Sequence, residues 1–165
     1  MSKKIAKRRL IAVGGWAMGA WILSSGAGMA HASRRPALGL APVQAAAAGP
    51  VTLPVTFTQG KAAVASFQFS LALPTGWKIV SALAGPASSA ANKSVSFNAA
   101  NGTVIVFGLG QNPIASGVVA TVTVQPPAGI SAGSYPVTVN KEVYSDPKGA
   151  TIKGAKLTTG TVKIT

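Results

Sequence analysis

The stretch Val64–Leu73 reads VASFQFSLAL. Its second part alternates without a break: Phe67, Phe69, Leu71 and Leu73 on one parity, Ser66, Gln68, Ser70 and Ala72 on the other. A period of two is the signature of a strand with one face in a core and one face in water. A helix would need its apolar residues three and four apart. The same period returns along the chain. Val51–Thr58 (VTLPVTFT) sets Val51, Leu53, Val55 and Phe57 against Thr52, Pro54, Thr56 and Thr58, and Pro54 calls for an edge position or a bulge. Tyr135–Val143 (YPVTVNKEV) sets Tyr135, Val137 and Val139 against Pro136, Thr138 and Asn140.

Between these runs lies Asn101–Gln125. Asn101-Gly102 is a hairpin signal, because both residue types tolerate positive φ. Thr103–Phe107 (TVIVF) then reads as a strand buried on one or both faces. Gly108–Pro113 breaks it, and Val118–Val124 (VVATVTV) is the next strand. Trp77–Leu83, Val95–Phe97 and Thr161–Thr165 add further short strands, and the last part of Ser33–Pro50, around Val43–Ala48, adds an edge strand. The count is about nine, with turn signals every eight to twelve residues or so and no amphipathic helix of useful length among them. The expected fold is all-β, a β-sandwich with jelly-roll topology.

The N-terminus is of another kind. Lys3, Lys4, Lys7, Arg8 and Arg9 form a basic head, Leu10–Met29 is apolar, and Ala30-His31-Ala32 offers small residues at the two positions a signal peptidase reads. Residues 1–32 are therefore expected to be a helical signal peptide cleaved after Ala32, or an uncleaved membrane anchor, since about 20 apolar residues span a bilayer. Arg8-Arg9 leaves the twin-arginine export route open beside the general one. Residues 33–50 read as a tether with an edge strand at its end, and residues 51–165 as the sandwich domain. The expected location is secreted or in a bacterial cell envelope, with membrane contact only through an uncleaved N-terminus.

Charge and residue inventory exclude several functions. Without residues 1–32 the chain keeps ten bases and two acids, a net charge of +8. The lysines are scattered singly and not interleaved with aromatics on one stripe, which argues against nucleic-acid binding. With no cysteine and no histidine beyond His31, zinc has no ligands, and two acids are too few for a calcium cage. Gly129-Ile130-Ser131-Ala132-Gly133 spells G-x-S-x-G, but a nucleophile elbow needs a strand before it, a helix after it and a histidine base. Glu142 and Asp146, the two acids, lie roughly 13 Å apart in extended chain, beyond the ~5–9.5 Å of either glycosidase geometry. Asp146-Pro147 reads instead as turn chemistry. No catalytic residue, cofactor or metal is expected. Polysaccharide binding would call on Trp77 and Tyr144 as glycan contacts, because Tyr135 shares the core parity of Val137 and Val139.

In order and spacing these segments resemble the cohesin domains of bacterial extracellular assemblies. The pieces that carry the resemblance are Val51–Val55 (VTLPV), Phe67–Leu71 (FQFSL), Gly102–Phe107 (GTVIVF), Ile114–Val124 (IASGVVATVTV), Gly133–Val139 (GSYPVTV) and Ser145–Gly149 (SDPKG). The chain departs from the family after FQFSL, where Leu73-Pro74-Thr75-Gly76-Trp77 stands, and lacks the acidic residues many cohesins offer their partners. The resemblance implies a jelly roll related to cellulose-binding modules, non-catalytic, that serves polysaccharide-degrading assemblies. It implies a protein partner, either a dockerin-type module that folds around calcium or a sister scaffold subunit, held on one flat sheet face. Ser66, Gln68 and Ser70 match that face and Gln111 and Asn112 its polar end, with Ala72 and Leu109 as small apolar contacts. Alternatives are solvated sheet residues without a partner, glycan binding, and a structural subunit that self-assembles through its sheet edges.

Overall fold

The computed structural model describes residues 35–46, 49–155 and 158–165; the expected signal or anchor segment lies outside them. In chain order the strands are β1 (Ala37–Leu40), β2 (Val43–Ala45), β3 (Val51–Thr58), β4 (Ser66–Ala72) and β5 (Lys78–Ala84). A single helical turn, α1 (Pro86–Ala90), precedes β6 (Ser94–Asn98), β7 (Thr103–Phe107), β8 (Gly117–Gln125), β9 (Gly133–Ser145), β10 (Thr151–Ile152) and β11 (Thr158–Ile164). They form two sheets, one of four strands in the order β1-β3-β8-β5 and one of seven in the order β2-β11-β9-β4-β7-β6, with β10 also on β9. The fold is the expected sandwich, with two strands more than the sequence suggested. Ala37–Leu40, read as tether, pairs antiparallel with Val55–Thr58. Thr151–Ile152, to which the sequence pattern assigned no element, pairs with Tyr144 and Ser145.

The alternating residues meet between the sheets. Phe57 of β3 stacks on Phe67 of β4 with ring centroids 5.6 Å apart and planes 17° from parallel. Tyr144 of β9 closes the cluster at 6.2 Å from Phe57 and 5.9 Å from Phe67. Pro54 is tolerated because β1 ends opposite Val55, and the register against β8 shifts between Val55 and Thr56. Of the two conditions expected of a strand proline, the open flank occurs at its position and the bulge just after it, past Val55. At the β6–β7 turn the Asn101 side chain accepts the Thr103 N–H at 3.0 Å and Gly102 sits at φ +68°. A Cβ there would come within 2.7 Å of the Leu71 carbonyl oxygen, so the hairpin and its docking on β4 both require glycine.

One irregularity sets the faces of β9. Gln68 pairs with Val143 and Ser70 with Asn140, so Lys141 and Glu142 together oppose Phe69. Lys141 takes φ +53°, the left-handed conformation of the first residue in a G1-type bulge. Alternation changes phase there. Val137 and Val139 point inward before it, and Tyr144 points inward after it. This corrects the reading of Tyr144 as an exposed glycan contact: in unbroken register it would share the outward parity of Thr138 and Asn140, but it is fully buried.

The Tyr144 hydroxyl finds no aligned hydrogen-bond partner among the described residues. Its pKa is raised, by burial first and by the Glu142 charge second, against an opposing effect of the Leu38 backbone. A buried hydroxyl without a partner costs free energy that a phenyl ring does not. Tyr144→Phe is therefore expected to leave urea stability unchanged or raise it by up to about 1 kcal/mol, while Tyr144→Ala loses roughly 3–5 kcal/mol. A loss of stability in Tyr144→Phe would show that the hydroxyl is bonded after all.

Candidate functional site: the outer face of the seven-stranded sheet

Strand register brings three rows of side chains to the outer face of β9-β4-β7-β6. The middle row is Val143, Gln68, Ile105 and Ser96, one residue from each strand. On one side of it lie Ser145 and Ser66, then Phe107 beside Ser94. On the other lie Asn140, Ser70, Thr103 and Asn98. Because Val104 and Val106 fill the core, the intervening Ile105 and Phe107 must face out, and they keep 39% and 46% of their surface exposed. Val143 is brought out by the β9 bulge and is also 39% exposed. A shallow groove of about 140 Å³ runs among Ser66, Gln68, Ile105, Phe107, Val143 and Ser145. Its floor is apolar and its margins are hydroxyl and amide groups, the composition of a contact surface's centre and rim.

Leu109 extends the apolar patch. It stands fully exposed on the Gly108–Pro113 loop, beside a second hollow that it shares with Ser66, Gln111, Asp146 and Lys148. Lys93 supports the loop from below: only 5% of it is exposed, and its Nζ donates to the Gly110 carbonyl oxygen. Burial pulls the Lys93 ammonium below the usual lysine pKa. A Cβ on Gly108 would press on the Lys93 side chain and the Asn92 carbonyl, which keeps the loop close over this strut.

The residues expected to bind a partner are distributed as follows. Ser66 and Gln68 lie in the groove and Gln68 is exposed; Gln111 joins Ser66 across the second hollow. Asn112 is exposed on the same loop but lines neither hollow. Ser70 faces outward as expected but is only 7% exposed, flanked by Thr103 and Asn140, and its Oγ lies 3.2 Å from Thr103 Oγ1. Ala72 is exposed opposite Thr138. Trp77 is a second correction among the glycan contacts: it is 7% exposed and packs on Tyr135 at 5.6 Å, on the inward parity of Ile79. With Trp77 and Tyr144 both inside, neither presents a ring for a sugar to stack on. Ser131 of the G-x-S-x-G run lends its carbonyl to the Tyr135 hydroxyl at 2.9 Å, in a loop that leads into a strand.

Ile105, Phe107 and Val143 were not legible as site residues. A short apolar run such as TVIVF does not tell which parity is outward. A signal was nonetheless present: Ile105 shares parity with Thr103, the one polar residue of that strand.

The two acids stand at the edge of this surface. Asp146 Oδ1 accepts the Lys148 and Ala150 N–H groups, both at 2.8 Å, inside its own turn. Glu142 is half-buried with Oε1 shielded and unpartnered, beside a hollow of about 380 Å³ that Arg35 and Lys153 also line. Among the described residues no three His, Cys, Asp or Glu side chains gather as metal ligands, and no helix is long and apolar enough to cross a membrane.

A jelly-roll sandwich that displays a flat, apolar-centred sheet face belongs to the class of binding modules. The family follows from comparison: a model of the cohesin domain matches residues 37–164, and the chain belongs to the cohesin family. Cohesin domains are non-catalytic modules, and those that bind dockerins mediate protein–protein interaction. Similar solved structures include a non-cellulosomal cohesin from the archaeon Archaeoglobus fulgidus (17% identity, TM-score 0.62, covering 79% of this chain and 91% of that one). A cohesin from Clostridium thermocellum, solved in a type I cohesin–dockerin complex, has 18% identity and a TM-score of 0.64 over 79% of this chain and 99% of the other. The third ScaC cohesin of Acetivibrio cellulolyticus, in complex with the ScaB dockerin, has 18% identity and a TM-score of 0.65 over 78% and 98%. No curated protein sequence matches the chain.

Glu142 makes the electrostatics of the bulge testable. Burial raises its carboxyl pKa above the ordinary 4.5, so the folded chain keeps a proton that the unfolded chain has already released. Its contribution to stability is complete below the unfolded value and is lost as pH rises through the folded one. The difference in urea midpoint between Glu142→Gln and the parent chain is expected to widen in favour of the variant from about pH 4 to pH 7. Parallel profiles would contradict the raised pKa.

Proposed function

We propose that this cohesin domain docks a protein partner, a dockerin-type module or a scaffold subunit, on the outer face of β9-β4-β7-β6. The observation that carries the reading is the exposure of Ile105, Phe107 and Val143 in one patch around Gln68, with fully exposed Leu109 at its end. Apolar side chains of this size on the polar side of a sheet cost solubility unless something covers them. The polar groups among and beside them, Ser66, Gln68, Gln111 and Ser96, supply hydrogen bonds to a partner. Burial of Trp77 and Tyr144 removes the aromatic basis for a glycan-binding reading.

The working location is outside the cell or in its envelope. Support for this is the basic head, apolar stretch and Ala30-His31-Ala32 of the sequence, together with the family's association with extracellular assemblies. A mature N-terminus at Ser33, read by mass spectrometry of the native protein, is the expected outcome; an intact Met1 end would leave the segment as an anchor.

Calorimetric titration of the full chain with dockerin-type modules tests the face. Ile105→Asp and Phe107→Asp are each expected to weaken binding by about 100-fold, as truncation or charge at an interface centre does. Thr52→Asp, on the outer side of the four-stranded sheet, should leave affinity within about twofold of the parent. Equal losses from Thr52→Asp and Ile105→Asp would move the site elsewhere.

A further inference from the structure

Exposed lysines border the patch. Lys141 is exposed on the bulge, in the gap that β11 and β10 leave along β9 between Val139 and Tyr144, two residues from Val143. Lys153, just past β10, is exposed and shares a hollow with Val143. Lys148 is exposed and shares the other hollow with Leu109 and Ser66. The two acids line the same hollows, but Asp146 Oδ1 is held by the backbone of its own turn and Glu142 Oε1 is shielded at the bulge, so the exposed lysines outnumber them. The opposite border, Ser94, Ser96 and Asn98 of β6, is uncharged.

Resting on the reading of this face as the docking surface, we propose that its partner is a protein module with an acid-rimmed apolar docking face, whose Asp and Glu side chains meet Lys141, Lys148 and Lys153. Each rim pair is worth little by itself at ordinary salt. Three cations of one sign around an apolar centre nevertheless steer encounter and exclude basic partners, since like charges set face to face repel. The polarity is thus fixed by this chain: it supplies the positive side of the interface.

The probe is a panel of dockerin-type modules whose exposed helix faces are acidic, neutral or basic, titrated against the full chain at about 50 and 300 mM salt, either side of a 10 Å screening length. Acidic members are expected to bind tightest and to lose at least about tenfold in affinity across that salt range. The triple variant Lys141→Glu, Lys148→Glu, Lys153→Glu should cost a similar factor with acidic members and improve binding of basic ones; its melting curve checks that it folds. If basic or neutral members bind as tightly as acidic ones, if the triple reversal changes nothing, or if no acidic member binds at low salt, the inference is wrong. Ile105→Asp separates the two claims. Loss of binding in Ile105→Asp alongside indifference to salt and to the triple reversal keeps the face and discards the charge rule. Retention of binding in Ile105→Asp discards the face itself.

Discussion

The bulge in β9 is the constraint on which the rest depends. β9 is thirteen residues long and joins β4 on one side to β11 and β10 on the other, so any change in its phase is felt across the seven-stranded sheet. By setting Lys141 and Glu142 against one residue of β4, it turns Tyr144 into the core and Val143 out. The first consequence completes the aromatic cluster with Phe57 and Phe67 that ties the two sheets together. The second places an apolar side chain beside Gln68 and Ile105. One extra residue therefore serves packing and surface together. Gly154 is part of the same arrangement, since a Cβ at that position would overlap the Tyr144 ring.

What was legible in the sequence followed from periodicity. VASFQFSLAL and VTLPVTFT declare their inner faces, and Asn101-Gly102 and Asp146-Pro147-Lys148-Gly149 form the turns their chemistry demands. What was not legible has equally specific causes. Bulges in left-handed conformation are usually marked by glycine or asparagine; here lysine occupies the position, so the phase change was invisible and Tyr144 was misplaced. Trp77 was misplaced although its parity with Ile79 pointed inward. β1 has Gly39 on its outward side and no polar alternation, and β10 is two residues long, so neither carries a strand pattern.

The surface reads differently once the core is assigned. The polar residues of FQFSL lie on the face proposed for docking, and its apolar side chains come from β7 and β9. Lys93 shows the same division of labour, because a buried ammonium bonded to the Gly110 carbonyl holds Leu109 in the open without touching anything outside the chain. The chain has the cohesin fold yet carries only two acids, one held in its own turn and one half-buried at the bulge.

The central claim is that the outer face of β9-β4-β7-β6 is where a partner sits. Amide chemical-shift mapping of the isotopically labelled chain during titration with a binding dockerin-type module tests it most directly. The account predicts that the largest changes fall on Gln68, Ile105, Phe107, Leu109 and Val143, with Thr52, Thr121 and Thr123 of the four-stranded sheet unmoved. Changes concentrated on those threonines, with the Ile105 and Phe107 amides silent, would contradict it.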